Sequence, residues 1–331
     1  LSAKTEKALQ QSTYNLKHYL KKCDDSNLGD VAYTLYRGRE DFQWRQFAVG
    51  KTVEEICTEL KGKKPLFFNQ DTHHSIAFMF SGQGMQYPQM AMELFKAIPL
   101  FAKYVTSGAE IAQSYLHCDL LSILHDSSSK KLKETQYAQP ALFIVEYALA
   151  KLLMECGIIP EMLIGHSIGE YVAACLAGVF SFEDGIALVC ERGLLMSRTP
   201  KGAMLSLDAT QEQLDSYLKM VDVDIALHNA TNHFVLSGSE PEIEKLESYL
   251  TAHKKPFQKL KVNHAFHSRF MESIEMPFKE MFTNIKLSAP QIPIISNVTG
   301  DWLSAGEAIN PDYWYRHLRE TVQFCQGINR I

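Results

Sequence analysis

The fold of this chain is inferred first from residues 162–176, MLIGHSIGEYVAACL. Met162–Ile164 form a short apolar run that predicts a buried strand, and Ile168–Leu176 predict a helix. Between them the pattern G-x-S-x-G centres on Ser167, and its small residues allow a sharp turn from strand to helix. Such a turn presents the serine hydroxyl at the end of a sheet. The stretch therefore predicts an α/β protein with a nucleophilic serine.

The neighbouring segments extend this pattern. A strand over Ile76–Phe80 leads into the Gly-rich turn Ser81–Gly84, and a helix over Ala141–Met154 precedes the strand at Met162. Strands that alternate with helices predict a parallel sheet. We therefore expect an α/β-hydrolase-like core, in which the backbone N–H of Ile168 faces an oxyanion that develops at the turn.

A compact run over residues 203–264 predicts an inserted subdomain. Its elements follow the order strand, helix, strand, strand, helix, strand, which is the ferredoxin-like motif. Both helices begin with the residue types of a capping box, Thr210 with Gln213 and Ser239 with Glu242. The two ends of this insert are expected to return to the main sheet.

The N-terminal segment is predicted to be a separate small α/β domain, residues 1–66, which precedes the main domain, residues 67–331. Its helical patterns alternate with two segments that we expect to be extended, Val31–Tyr36 and Trp44–Val49. The charged, turn-forming stretch Lys61–Pro65 marks the boundary.

Composition restricts the classes of function. The 331 residues are 46% hydrophobic and carry a formal net charge of -5, which is typical of a soluble globular protein and argues against nucleic-acid binding. Seven cysteines without a C-x-x-C pair argue against disulfides and zinc, so we expect reduced thiols, no metal and a cytoplasmic location. The longest apolar stretch is shorter than the roughly 20 residues of a membrane span. Because the chain begins at Leu1, we expect it to be part of a longer polypeptide.

A nucleophilic serine needs a general base, and the chain has twelve histidines. His166 lies within the turn and cannot easily reach back to Ser167. His264 and His267 both lie where the predicted insert rejoins the main sheet. The residue pattern alone leaves the choice between these two open.

Four motifs, taken together and in order, carry a family resemblance. They are Gly-His-Ser-Ile-Gly-Glu at 165–170, Phe-Ser-Gly-Gln-Gly at 80–84, Gln-Pro-Ala-Leu at 139–142 and His-Ala-Phe-His at 264–267. The chain resembles the malonyl-CoA:acyl carrier protein transacylase family, and most closely the acyltransferase domains of type I modular polyketide synthases. Its front segment, with Asp30–Leu35, Gly38 and Arg39, resembles the linker between ketosynthase and acyltransferase.

The resemblance implies catalytic roles by motif position. Ser167 matches the acylated nucleophile, and His267 matches its general base. The backbone N–H of Gln83 is expected to complete an oxyanion hole with that of Ile168. A backbone carbonyl near the end of a late strand orients the histidine in this family, and we assign that place to Asn297.

Substrate recognition is implied for a second group of residues. Arg192 matches the arginine that holds a malonyl carboxylate, although without the resemblance it would be taken for a solvated helix residue. Gln139 and His264 are expected to line the site. Phe266 should fill the space beside the α-carbon, where methylmalonyl-selective relatives have Ser in a Y-A-S-H box. Malonyl is therefore the expected unit, with rarer substituted malonyl units as an alternative.

The implied reaction transfers a malonyl group from malonyl-CoA to Ser167 and then to the phosphopantetheine thiol of an acyl carrier protein. It uses no bound cofactor and no metal. The implied partners are the carrier protein and a neighbouring ketosynthase of the same polypeptide. Alternatives are a serine hydrolase or thioesterase built on the same turn, or a non-catalytic docking module. The family continues beyond the helix around Trp314 to a further strand, so we expect the C-terminal end to be truncated at Ile331.

Overall fold

The computed structural model describes residues 1–68 and 75–331. The chain divides into two compact units, Leu1–His74 and Ser75–Ile331. The boundary that the sequence predicts, between residues 66 and 67, falls within the first of these units. Every candidate site residue belongs to the second.

The N-terminal unit contains a small antiparallel sheet and helices. Its central strand is β2 (Trp44–Arg45), since Trp44 lies opposite Ala3 on one side and Phe67 on the other. Leu9 and Leu20 on one face of the first helix are buried. The described elements of this unit are β1 (Ser2–Ala3), α1 (Glu6–Leu20), α2 (Leu28–Arg37), β2 (Trp44–Arg45), α3 (Val53–Gly62) and β3 (Leu66–Phe67).

One predicted element of this unit is wrong. Residues Val31–Tyr36 were expected to be extended, but they lie within helix α2. Val, Thr and Tyr favour strands, yet Leu28, Val31 and Leu35 are spaced to share one face of a helix. These three residues are half-buried while their neighbours are exposed. The helical period of the apolar residues outweighs their individual strand preferences.

The second unit is built on a parallel sheet, which confirms the predicted α/β class. Its central strand is β5 (Met162–Gly165), which lies between β4 (Ala77–Phe80) and β10 (Ile294–Ile295). Leu163 pairs with Phe78 on one side and with Ile294 on the other. Helices pack around this sheet in one large apolar core. The elements outside the insert are β4 (Ala77–Phe80), α4 (Met92–Ala97), α5 (Pro99–Leu116), α6 (Leu120–His125), α7 (Thr135–Glu155), β5 (Met162–Gly165), α8 (Gly169–Leu176), α9 (Phe182–Ser197), α12 (Glu275–Glu280), β10 (Ile294–Ile295), α13 (Ala305–Ala308), α14 (Pro311–Arg319) and α15 (Phe324–Arg330).

The insert has the predicted ferredoxin-like fold. Its strands form an antiparallel sheet in the order β7 (Val223–Ala230), β8 (His233–Gly238), β6 (Ala203–Asp208) and β9 (Phe257–Lys259). The sheet packs in a separate apolar core. Thr210 and Gln213 form the expected capping box, whereas Ser239 makes no side-chain capping bond. Glu242 instead accepts a hydrogen bond from the Asp222 N–H. The elements are β6 (Ala203–Asp208), α10 (Gln211–Met220), β7 (Val223–Ala230), β8 (His233–Gly238), α11 (Glu240–Ala252) and β9 (Phe257–Lys259).

The two ends of the insert meet. The N–H of Gly202 donates to the carbonyl of Asn263 at 3.1 Å, and Lys201 pairs with His264 as an isolated bridge. The C-terminal segment joins the insert as well, since Val322 N–H donates to the Ala226 carbonyl in β7. The base of the insert is therefore closed, and the C-terminal segment is hydrogen-bonded to the insert.

Neither a membrane span nor a metal cluster is found in the described part of the chain. Among residues 1–68 and 75–331, no helix is both long and apolar enough to cross a bilayer. The same residues contain no group of three or more His, Cys, Asp or Glu side chains that could hold a metal ion.

Candidate active site

Ser167 lies in a strained turn between β5 and α8. Its φ of 51° is in the left-handed region, which costs free energy for a residue other than glycine. Both flanking positions must be glycine, because a Cβ at either one would clash with neighbouring backbone atoms. A Cβ at Gly165 would lie 2.0 Å from the Glu170 nitrogen, and one at Gly169 would lie 2.6 Å from the Phe80 oxygen. The turn therefore forms only because glycine allows the backbones of the strand, the turn and the helix to come into direct contact.

Ser167 and His267 form a hydrogen-bonded pair, with 2.7 Å between Oγ and Nε2. On the other side of the ring, Nδ1 lies 3.2 Å from the Glu320 carbonyl oxygen. That contact assigns the proton to Nδ1 and leaves Nε2 to accept from the serine hydroxyl. Burial, together with the positive charge of Arg192, lowers the pKa of His267 to about 3. The imidazole is therefore neutral near pH 7 and available as a base.

The other two candidate histidines have different partners. His264 Nδ1 lies 3.2 Å from Thr199 Oγ1, and its ring stacks on Phe266 at 5.9 Å between centroids. His166 Nε2 lies 2.9 Å from Asn229 Oδ1. The histidine in contact with the serine is therefore His267. The residue pattern could not distinguish it from His264, whereas the family resemblance pointed to His267.

The prediction that Asn297 orients the histidine is wrong. The carbonyl beside His267 Nδ1 is that of Glu320, whereas the Asn297 carbonyl accepts from the Gln323 N–H at 2.7 Å. Its side chain spans the turn instead: Oδ1 accepts from the Ser167 N–H at 2.6 Å, and Nδ2 donates to the Gly165 carbonyl at 2.7 Å. Asn297 thus holds the turn around Ser167 in place, and Glu320 supplies the carbonyl for the histidine.

A buried carboxyl group supports Asn297 in turn. Glu170 Oε2 accepts from the Asn297 N–H at 2.7 Å, and its other oxygen accepts from the Tyr313 hydroxyl. Burial raises the pKa of Glu170 to about 8. Sequence reasoning assigned Glu170 no role. Its position directly after the G-x-S-x-G pattern was the only available signal.

The loop that carries Gln83 packs against the same turn. A Cβ at Gly82 would lie 2.6 Å from His166 Nδ1, so the loop and the turn are in direct contact. Glu146 on α7 anchors the loop, because its Oε1 accepts from the Ser81 N–H at 3.0 Å and from the Ser81 hydroxyl. These contacts hold the loop that carries Gln83 against the turn around Ser167.

Arg192 is buried, with 1% of its surface exposed. Its Nη1 donates to Gln139 Oε1 at 2.6 Å, and its guanidinium lies over the Tyr171 ring at 5.3 Å. Within residues 1–68 and 75–331, its Nε and Nη2 have no hydrogen-bond partner. Buried charged donors without a partner are costly, which suggests that an anion completes them. Arg192 is therefore not the solvated helix residue that its sequence position alone would suggest.

The buried carboxyl of Glu146 makes stability depend on pH. Burial raises its pKa from 4.5 to about 7, so over that range the folded chain holds a proton that the unfolded chain has lost. The free energy of unfolding therefore falls as pH rises through this window.

Glu146→Gln keeps an acceptor for Ser81 but cannot ionise. We expect the variant to gain stability relative to wild type between about pH 5 and about pH 8, measured by denaturant unfolding at both pH values. A difference that is constant with pH would contradict this assignment, because all other titrating groups are shared.

Comparison with known proteins decides the family. The model of the acyl transferase domain family matches residues 77–331. The chain belongs to the acyl transferase domain family. A second model, the CurL-like C-terminal segment of polyketide synthases, matches residues 1–60. The chain is thus an acyltransferase domain of the type found in modular polyketide synthases, and it is an enzyme of that class.

Similar proteins agree with this membership. The chain is 32% identical to a phenolphthiocerol/phthiocerol polyketide synthase of Mycobacterium tuberculosis over all of its own length, which is 23% of that protein. Among solved structures it is similar to the acyl transferase domain of ZmaA, with a TM-score of 0.88, 36% identity, and coverage of 99% of this chain and 78% of the other. A malonyl CoA-acyl carrier protein transacylase from Burkholderia pseudomallei gives a TM-score of 0.69 and 31% identity, with coverage of 78% and 87%.

Proposed function

We propose that this acyltransferase takes a malonyl group from malonyl-CoA onto Ser167 and passes it to the phosphopantetheine thiol of an acyl carrier protein. The observation that carries the proposal is the buried guanidinium of Arg192, whose Nε and Nη2 lack partners among the described residues. Arg192 is close enough to His267 for its charge to lower the pKa of that ring. A planar guanidinium binds a carboxylate through two parallel hydrogen bonds, so an acyl donor with a free carboxylate fits this site.

The first half-reaction follows from the dyad. His267 Nε2 accepts the proton of the Ser167 hydroxyl as Oγ attacks the thioester carbonyl. The N–H groups of Ile168 and Gln83 stabilise the negative charge on the carbonyl oxygen. When the tetrahedral intermediate collapses, the C–S bond breaks and coenzyme A leaves with the proton from His267. The malonyl group is then an ester on Ser167.

The second half-reaction reverses these roles with a new thiol. The phosphopantetheine thiol gives its proton to His267 and attacks the ester carbonyl. The C–O bond to Ser167 breaks, and the serine oxygen recovers the proton. No electron transfer occurs in either half-reaction, so the proposed chemistry needs no redox cofactor.

The size of the α-substituent is proposed to be limited by Phe266. Its side chain is 7% exposed and packs in the core against His264. A ring in this place leaves less room beside the α-carbon than a serine would. One methyl group in such a pocket changes binding by about 1–3 kcal/mol, so unsubstituted malonyl should be preferred but not exclusive.

A hydrolase on the same turn is the rival function. An α/β-hydrolase places an Asp or Glu carboxylate on Nδ1 of its histidine. Here the group on His267 Nδ1 is the backbone carbonyl of Glu320. This difference, together with Arg192, favours transfer of a dicarboxylic acyl group to a thiol.

The partners are proposed from the relatives. The chain spans about 23% of the length of the mycobacterial synthase that it matches, and such synthases carry several domains. We propose that the N-terminal unit, which matches a segment of polyketide synthases at residues 1–60, contacts a ketosynthase domain, and that the acyl acceptor is a carrier protein.

Replacing Arg192 by alanine tests the proposed substrate class. Loss of a charge-assisted bidentate contact in a buried site should lower kcat/KM for malonyl-CoA about thirty- to a thousand-fold. Acetyl-CoA has no carboxylate, so its loading should be unchanged or faster. Acyl-enzyme formation is measured for both donors by intact mass after rapid quenching. Arg198→Ala, an exposed position at the end of the same helix, is the matched control and should load malonyl like wild type.

Two results would count against the proposal. An equal loss for malonyl and acetyl donors would make Arg192 a structural residue, and no loss would remove it from the site. Rapid release of malonate to water in the presence of carrier protein would instead identify the rival hydrolase.

A further inference from the structure

We infer that Thr135 is a positioning residue that couples the carboxylate site at Arg192 to the oxyanion site at Gln83. The inference rests on the proposed function of those two residues. Thr135 is the first residue of α7 and is buried. Its hydroxyl lies between Gln139 and Gln83, and it touches neither the serine nor the histidine of the dyad.

Three hydrogen bonds connect the two sites in a continuous chain. Arg192 Nη1 donates to Gln139 Oε1 at 2.6 Å. Gln139 Nε2 donates to Thr135 Oγ1 at 2.7 Å. Thr135 Oγ1 then donates to Gln83 Oε1 at 2.8 Å. The chain therefore runs from the guanidinium to the loop that carries the proposed oxyanion donor.

All donors in this chain point the same way. Each amide or hydroxyl accepts from the side of Arg192 and donates toward Gln83, an arrangement in which each bond polarises the next. Gln139 accepts and donates through two different atoms, whereas Thr135 accepts and donates through the same oxygen. Gln139 Nε2 has a second contact, 3.3 Å from the Met196 sulfur, but a thioether is a weak acceptor. The threonine hydroxyl is thus the link that can be removed with least change in shape.

This series of hydrogen bonds links recognition of the carboxylate at Arg192 to catalysis at the oxyanion site. A carboxylate on Nε and Nη2 fixes the guanidinium, which fixes Gln139 and, through Thr135, the Gln83 side chain. The backbone N–H of Gln83 is then held where charge develops on the thioester oxygen. Interactions that act only on the transition state raise kcat and leave substrate binding unchanged. A donor without the carboxylate would lack this alignment.

Thr135→Val tests the coupling, because it removes the hydroxyl while nearly preserving the volume. Thr135→Ser is the matched control, since it keeps the hydroxyl. We expect the valine variant to lower kcat for malonyl loading about tenfold, with KM within about twofold of wild type. The serine variant should recover most of this loss. In an Arg192→Ala background, the series of hydrogen bonds has lost the guanidinium at its start. There, Thr135→Val should slow malonyl loading by less than about twofold.

The measurement is acyl-enzyme formation in single turnover, for malonyl-CoA and acetyl-CoA, on wild type, the three single variants and the Thr135→Val, Arg192→Ala double variant. Additive losses in the double variant would overturn the coupling, and so would equal losses in the serine and valine variants or a wild-type rate for valine. Wild type that loads acetyl but not malonyl would overturn the proposed function instead, so the two failures are distinguishable.

Discussion

Replacing Ser167 by alanine should abolish covalent loading from malonyl-CoA. In the proposed reaction Oγ becomes the ester oxygen, and no other hydroxyl is hydrogen-bonded to His267 Nε2 in the described structure. The backbone of the turn should be retained, because the Ser167 N–H still donates to Asn297 Oδ1. Intact-mass measurement after incubation with malonyl-CoA should show no adduct on the variant, while the thermal midpoint stays near that of wild type.

The matched control is Ser197→Ala. Ser197 is half-buried on α9, and its hydroxyl donates to the Leu194 carbonyl at 2.7 Å, away from the dyad. This variant should load malonyl at the wild-type rate. A malonyl adduct that persists on Ser167→Ala would move the nucleophile to another residue, which peptide mapping of the adduct would locate.

Replacing His267 by alanine should slow both half-reactions by about 10²–10⁴-fold, the range expected when a positioned general base is lost. In the first half-reaction the Ser167 hydroxyl would have to lose its proton to water, and in the second the incoming thiol would. Acyl-enzyme formation and transfer to a carrier protein are measured separately, so that each step is tested by itself. A variant that loads slowly but transfers normally would restrict the base to the first step.

His264→Ala is the informative comparison because both histidines belong to the same H-A-F-H box. His264 contacts Thr199 and stacks on Phe266, so its loss should change loading by less than about tenfold. If His264→Ala were the more damaging variant, the roles of the two histidines would be exchanged.

Local patterns allowed the sequence to predict much of the fold. The turn between β5 and α8 is encoded in consecutive residues, because only small side chains permit the approach at Gly165 and Gly169. The ferredoxin-like insert was predictable for the same reason, since its strands and helices alternate with clear caps such as Thr210. Prediction failed at Val31–Tyr36, where strand propensity and helical spacing compete within a few residues.

The candidate site was less predictable, because its support depends on contacts between distant segments. Thr135 and Gln83 are 52 residues apart, and Ser81 and Glu146 are 65 apart, so no local motif connects them. The contact on His267 Nδ1 comes from a backbone carbonyl at Glu320, which leaves no side-chain signature in a sequence.

Asn297 illustrates a related limit. Its motif placed it at the site, but a motif gives a position and not a partner. Only the fold shows that its side chain holds both sides of the turn around Ser167.

The closed base of the insert has a consequence for how the catalytic pair tolerates change in chain length. Ser167 and His267 are 100 residues apart in the chain, and most of that separation is the insert. The conformational entropy of loop closure grows only with the logarithm of loop length, about 0.6 kcal/mol for each doubling. Because the bond between Gly202 and Asn263 joins the ends of the insert, its internal loops can lengthen or shorten at small cost. Insertions there are accommodated while Ser167 and His267 keep their separation.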